Sequence, residues 1–146
     1  NFDLIIWLEN IEHLSKGKGE EIINHITNHA DFVLFSGAIP NQGGKGHLNE
    51  RWQSYWAKYF DKKGFKAFDV IRPKIWKDEF IPFWYKQNIV LYANAQSANK
   101  IFNQGNLELS YLDLIHPDIW DRKNQPLGIK RSFKMLLKAI KNKILF

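Results

Sequence analysis

Residues 2–14 read Phe-Asp-Leu-Ile-Ile-Trp-Leu-Glu-Asn-Ile-Glu-His-Leu, FDLIIWLENIEHL, and their reading decides the fold. Phe2 to Leu8 is a near-continuous apolar run with β-branched residues. Such a run predicts a strand buried on both faces, as in a parallel sheet. It leads directly into two carboxylates and an imidazole, Glu9, Glu12 and His13. These either bind something or solvate and cap the start of a helix. The stretch alone leaves both open.

Working outward, Gly19 to His29 has helical patterning. Ile22, Ile23 and Ile26 share one face, and Glu20 and Glu21 suit a first turn. Asp31 to Ser36, DFVLFS, predicts a second buried strand, followed by a Gly-rich loop at Gly37 to Asn49, GAIPNQGGKGHLN. Glu50 to Lys62 predicts a second helix with Trp52, Trp56 and Phe60 at i, i+4 and i+8, capped N-terminally by Asn49 and Glu50 and ended by Gly64. Phe65 to Ile71 and Asn88 to Ala93 predict two more strands. Arg72 to Phe83, with two prolines, reads as a loop with a short helical turn. The order β-α-β-α-β-loop-β implies an α/β sheet, largely parallel. The last two strands lack a clear crossover helix, so an antiparallel pair is expected there.

Beyond Asn94 the character changes, which divides the chain into 1–94 and 95–146. Ala95 to Glu108 is polar and weakly patterned, and LSYLDLIHPDIW is apolar up to His116-Pro117. Arg122 to Pro126, RKNQP, reads as a linker. Ile129 to Phe146 is an amphipathic helix candidate, with Ile129, Phe133, Leu136, Leu137, Ile140 and Ile144 apolar among six basic residues. There are no internal repeats.

With 146 residues, 45% of them apolar, the chain can bury one core. It has no Cys, which excludes disulfides and thiolate metal sites and fits a cytoplasmic location. No apolar run approaches the roughly 20 residues of a membrane span, and no secretory signal is present. The net charge is +6, but from Arg122 onward there are eight basic residues and no acid. The body therefore carries a slight negative excess, which argues against specific nucleic-acid binding. The basic tail has three readings: contact with an anionic membrane surface, docking on the body or a partner, and nonspecific nucleic-acid binding by charge. The first two are favoured.

FDLIIWLENIEHL, DFVLFSGAIP, GHLNERWQSYWAKYFDKKGF and the terminal NIVLYAN together resemble the C-terminal half of class I S-adenosylmethionine-dependent methyltransferases. The resemblance covers roughly residues 2–93. The closest likeness is to bacterial enzymes of sugar and cell-surface biosynthesis. It implies the second half of a Rossmann-like seven-stranded sheet and methyl transfer to a hydroxyl of a sugar or other small metabolite. It also implies that Leu8 and Glu9 contact S-adenosylmethionine. The family holds its cofactor mainly with a Gly-rich turn after the first strand and an acid ending the second, and neither is in this chain. NQGGKGH follows the wrong strand and lacks both G-x-G-x-x-G and G-K-[ST]. A fragment of a longer enzyme is therefore expected, with its first strand left apolar and unpaired at an edge. A missing N-terminal half or a partner chain would cover it. The alternative is a catalytically inactive remnant that serves as an interaction or membrane-surface module.

Glu9, Glu12 and His13 lie at i, i+3 and i+4, on one side of any helical turn. Two oxygen ligands and an imidazole suit Mg²⁺ or Mn²⁺, and also Zn²⁺. Related ubiquinone-pathway O-methyltransferases and small-RNA 3′-terminal 2′-O-methyltransferases have a similar E-x-x-E-H segment. In the latter a later His completes a metal site, and His47 in GHLNE matches it. The resemblance thus makes Glu9, Glu12, His13 and His47 candidate ligands. In metal-free members the Glu-His pair only shapes the loop beside the cofactor. His47 is alternatively a general base or a loop histidine bonded to backbone. Trp52 is a core residue or a pocket wall, and Arg72 and Trp76 belong to a loop that could cover the substrate. His25 and His29 read as solvent-facing, and His116 as structural.

Overall fold

A computed structural model describes residues 2–101, 111–125 and 128–144. These residues form two compact units, Asn1–His116 and Pro117–Phe146. The division expected after Asn94 falls inside the first unit. The reason is packing: helix α5 (Ala95–Ile101) packs on the last two strands, and Leu112 enters the core.

The first unit is α/β. Its strands are β1 (Phe2–Trp7), β2 (Ala30–Phe35), β3 (Phe65–Phe68) and β4 (Val90–Asn94), in the spatial order β1-β2-β4-β3. β1 and β2 are parallel, with Leu4 opposite Phe32 and Trp7 opposite Phe35. β4 runs antiparallel to both of its neighbours, β2 and β3. The sheet is therefore mixed, with three strands pointing one way and β4 reversed between two of them. The expected antiparallel pairing of the last two strands is present as β3–β4.

Helix α1 (Lys16–Thr27) links β1 to β2, as a parallel pair requires. It begins earlier than the pattern suggests, so its first turn contains no acid. Helix α2 (Gln53–Asp61) begins three residues late. Trp52 precedes it in an extended conformation, and the helix has no side-chain cap. Asn49 and Glu50 do not cap it, because the Glu50 carboxylate is spent on the preceding loop. The buried stripe of α2 is Gln53, Trp56, Ala57 and Phe60, with Trp52 only half-buried outside it. Gly64 ends the segment at φ +76°, a left-handed conformation that glycine adopts without steric cost.

One face of the sheet carries the main core. Val33, Phe35, Val90 and Tyr92 meet Ile11, Ile23, Ile26, Trp56 and Phe60 there. Phe60 stacks on Tyr92 at 3.8 Å, and Phe35 sets its ring edge-on to Trp56, Phe60 and Tyr92. Such geometries add to simple area burial. The other face is covered in part, where Ala98 of α5 meets Phe68 and Ala93.

β1 departs from expectation. It is not buried on both faces: Phe2, Leu4 and Ile6 are 65%, 45% and 61% exposed, and only Ile5 and Trp7 pack against the core. The cause is position, since β1 is the edge strand beside β2. Helix α3 (Arg72–Ile75) is the short helical turn expected within Arg72–Phe83, and α4 (Phe83–Asn88) follows that span and takes in Asn88, the expected first residue of the last strand.

The second unit contains α6 (Pro117–Asn124) and α7 (Ile129–Ile144). Residues Arg122–Asn124 of the expected linker continue α6. Pro126, residues 102–108 of the polar stretch and the first two residues of LSYLDLIHPDIW lie outside the described residues.

Candidate metal centre

Because β1 and β2 are adjacent and parallel, the loops after them leave the same edge of the sheet. That edge is where α/β proteins gather ligands. The chain after Trp7 turns sharply. The Glu9 N–H donates to the Ser36 carbonyl and to Ser36 Oγ, both beside the end of β2, and Glu9 adopts φ +47°. A positive φ is uncommon in a residue with a side chain and concentrates at constrained sites. A 3-10 turn at Ile11–His13 follows. Ile11 enters the core, Glu12 is buried and His13 is exposed.

The second loop is tied to this turn. The Glu12 carbonyl accepts the N–H groups of Leu48 and Asn49. Glu50 fixes the loop's shape: its carboxylate accepts from the Asn41 and Gly43 N–H groups and from His47 Nδ1, each at 2.8 Å. Burial raises the Glu50 pKa, but these three hydrogen bonds outweigh it and hold the carboxyl below its ordinary range. Two glycines allow the fit. A Cβ on Gly37 would lie 2.4 Å from Ile11 Cγ2, and one on Gly44 would lie 2.1 Å from His47 Nε2.

The result is a trio. Glu12, His13 and His47 each bring one ligand atom within 4.8 Å of the others. Ligands of one tetrahedral ion at about 2.1 Å lie about 3.4 Å from each other, so a contraction of up to about 1.4 Å completes the set. His13, exposed, is free to turn by that much. His47 Nε2 is 4.0 Å from Glu12 Oε1, and the two imidazoles meet edge-on at 5.0 Å. Both rings donate from Nδ1, His13 to the Gly46 carbonyl and His47 to Glu50. Each Nε2 is then left as the ligating nitrogen, and the Glu50–His47 pair has the carboxylate–histidine form common behind metal ligands. The Glu12 carboxylate oxygen Oε2 is fully buried with no hydrogen-bond donor among the described residues. Burying such an oxygen costs free energy unless a donor or cation meets it. The residues present therefore fit a divalent ion.

Glu9 lies outside the trio. Its Oε1 accepts from Asn88 Nδ2, within a buried amide network in which Gln42 Oε1 accepts from both Asn88 and Gln87. Sequence reading misses these amides. Their one signal is the run Gln87-Asn88 set immediately before an apolar strand. Leu8 is half-buried.

Burial raises the Glu9 pKa; the Asn88 hydrogen bond opposes this, the Glu12 charge adds to it, and the net shift is upward. A carboxyl raised in the folded state stabilises the fold below its unfolded pKa and loses that contribution as pH rises through its folded pKa. Glu9→Gln is therefore expected to raise the urea midpoint at pH 7, with the gain vanishing near pH 4. An equal gain at both pH values would reject ionisation as its cause.

Arg72 and Trp76 do not form a free cover. Arg72 is 1% exposed and donates to the carbonyls of Gln87 and Leu112. Trp76 packs against His116, whose Nε2 meets the Trp76 carbonyl. His116 is structural, as expected. His25 is exposed and His29 half-buried, with their rings 4.4 Å apart. No protein-family model matches the chain, and no curated protein or solved structure matches it.

Proposed function

We propose that this chain forms the acceptor side of an S-adenosylmethionine-dependent methyltransferase acting in the cytoplasm on a hydroxyl of a sugar or other small metabolite. The observation that carries the reading is convergence. Glu12 and His13 after β1, and His47 after β2, meet at the carboxyl edge of a parallel strand pair. The open, apolar edge of β1 and the antiparallel β3–β4 pair support its placement as the second half of a seven-stranded sheet.

A divalent ion held by Glu12, His13 and His47 would supply Lewis acidity toward an acceptor hydroxyl. The protein's own part is positioning. Glu50 holds the His47 tautomer, the Glu12 carbonyl ties both loops together, and Glu12 brings negative charge to the buried side of the site. The 2.8 Å His47–Glu50 contact also favours a second reading, in which His47 Nε2 accepts the hydroxyl proton and Glu50 steadies the imidazolium. Chelator sensitivity of methyl transfer separates the two: the ion-dependent reading requires it, the general-base reading does not.

Calorimetric titration of the protein isolated from its native cell with S-adenosylmethionine tests the family reading. Saturable binding is expected. Absence of binding overturns the methyltransferase reading, whatever metal the trio holds.

A further inference from the structure

We infer that α7 is a surface helix for anionic membrane, lying in the lipid headgroup layer with its apolar face down. This does not depend on the methyl-transfer reading. At 3.6 residues per turn, Ile129, Phe133, Leu136, Leu137 and Ile140 share an arc of about 100°. Each of these five is at least 45% exposed, and Ile129 is 90% exposed. Lys130, Lys134 and Lys138, all exposed, form the arc directly beside them. The helix carries six basic residues in 16 positions and no acid.

Charge and apolar area together select the partner. Self-association through the apolar arc would bring the flanking lysines of one copy against those of another, with no acid to pair them. A nucleic acid would engage the cations but leave Phe133, Leu136 and Ile140 in water. An anionic lipid surface satisfies both: the apolar arc enters the acyl boundary and the lysines meet headgroup charge. The helix would lie on the bilayer rather than cross it, because 16 residues fall short of the roughly 20 a span needs. No helix among the described residues is long and apolar enough to cross a membrane.

The test is co-sedimentation of the full chain with vesicles. Binding is expected to equimolar phosphatidylserine–phosphatidylcholine vesicles, weakening as salt rises, and not to phosphatidylcholine alone. The triple variant Lys130→Gln, Lys134→Gln, Lys138→Gln should bind roughly 100-fold more weakly. Phe133→Gln with Leu137→Gln keeps the charge and the helix propensity but should also lose most binding. Both variants change exposed positions only, and unchanged tryptophan emission would show the body intact. Four results would overturn the inference: no vesicle binding, equal binding to neutral vesicles, full binding by the Phe133/Leu137 variant, or vesicle-free dimerisation that the same variant abolishes.

Discussion

Glu12→Gln is expected to lower affinity for Mn²⁺ by about 100-fold or more, as read by isothermal titration calorimetry. Glu12 is 1% exposed, and its Oε2 lacks a donor. The substitution keeps shape and volume and exchanges an anionic oxygen for a neutral amide, a poorer ligand for a hard cation. The partner change His47→Ala should do the same by removing a nitrogen. Glu50→Gln should cost less, about 10- to 100-fold, because Glu50 orients His47 rather than touching the ion. The metal-free protein gives the second readout. If Glu12 were held for structure, Glu12→Gln would lower the urea midpoint. A buried oxygen with no donor has no such structural bond to lose, so the midpoint should hold or rise. Wild-type protein with no measurable Mn²⁺ binding would remove the ion from the site and leave the His47–Glu50 base.

The parts legible in the sequence are those written in local patterns. The run Phe2–Leu8 marks β1 to within a residue, and Ile23 and Ile26 mark the buried face of α1 correctly. The resemblance offers Glu12, His13 and His47 among four candidate ligands, and the loops of parallel neighbouring strands open at one edge, where these three meet. What fails depends on long-range partners. Burial of β1 is misjudged because its apolar run reads as covered on both faces, whereas only Ile5 and Trp7 meet the core and Phe2, Leu4 and Ile6 are exposed. Helical spacing groups Glu9 with Glu12. The left-handed backbone at Glu9 breaks that spacing and sends its carboxylate to Asn88, 79 residues away. Glu50 reads as a cap because it precedes a helix. Two of the loop's left-handed residues, Asn41 and Gly43, turn their N–H groups into its carboxylate instead.

Arg72→Ala is expected to destabilise the first unit by about 3–5 kcal/mol in urea titration. The sequence pattern puts Arg72 in a loop over the substrate, yet the side chain is a cross-link. Its Nε donates to Asp69 Oδ1 at 2.8 Å. Its Nη2 sits 2.7 Å from Asp69 Oδ2 as an ion pair, out of line for a hydrogen bond. Nη1 reaches the Leu112 carbonyl at 2.7 Å and the Gln87 carbonyl at 3.3 Å. Truncation leaves Asp69, itself 8% exposed, as an uncompensated buried charge, takes the guanidinium donor from the Gln87 carbonyl, and leaves the Leu112 carbonyl with the Leu114 N–H alone. The charge-conserving change Arg72→Lys should recover little, because an ammonium cannot match the planar fork that spans Asp69 and Leu112 at once. The paired change Arg72→Met with Asp69→Leu should recover much of the loss, since it removes the stranded charge together with its partner. A loss below about 1 kcal/mol for Arg72→Ala would mean water reaches Asp69 easily. The 69–89 segment would then be only loosely held to residues 111–116. The larger loss instead means that this segment and residues 111–116 are fixed together. Entry to the site would then run past the exposed His13 side rather than through an opening of this loop.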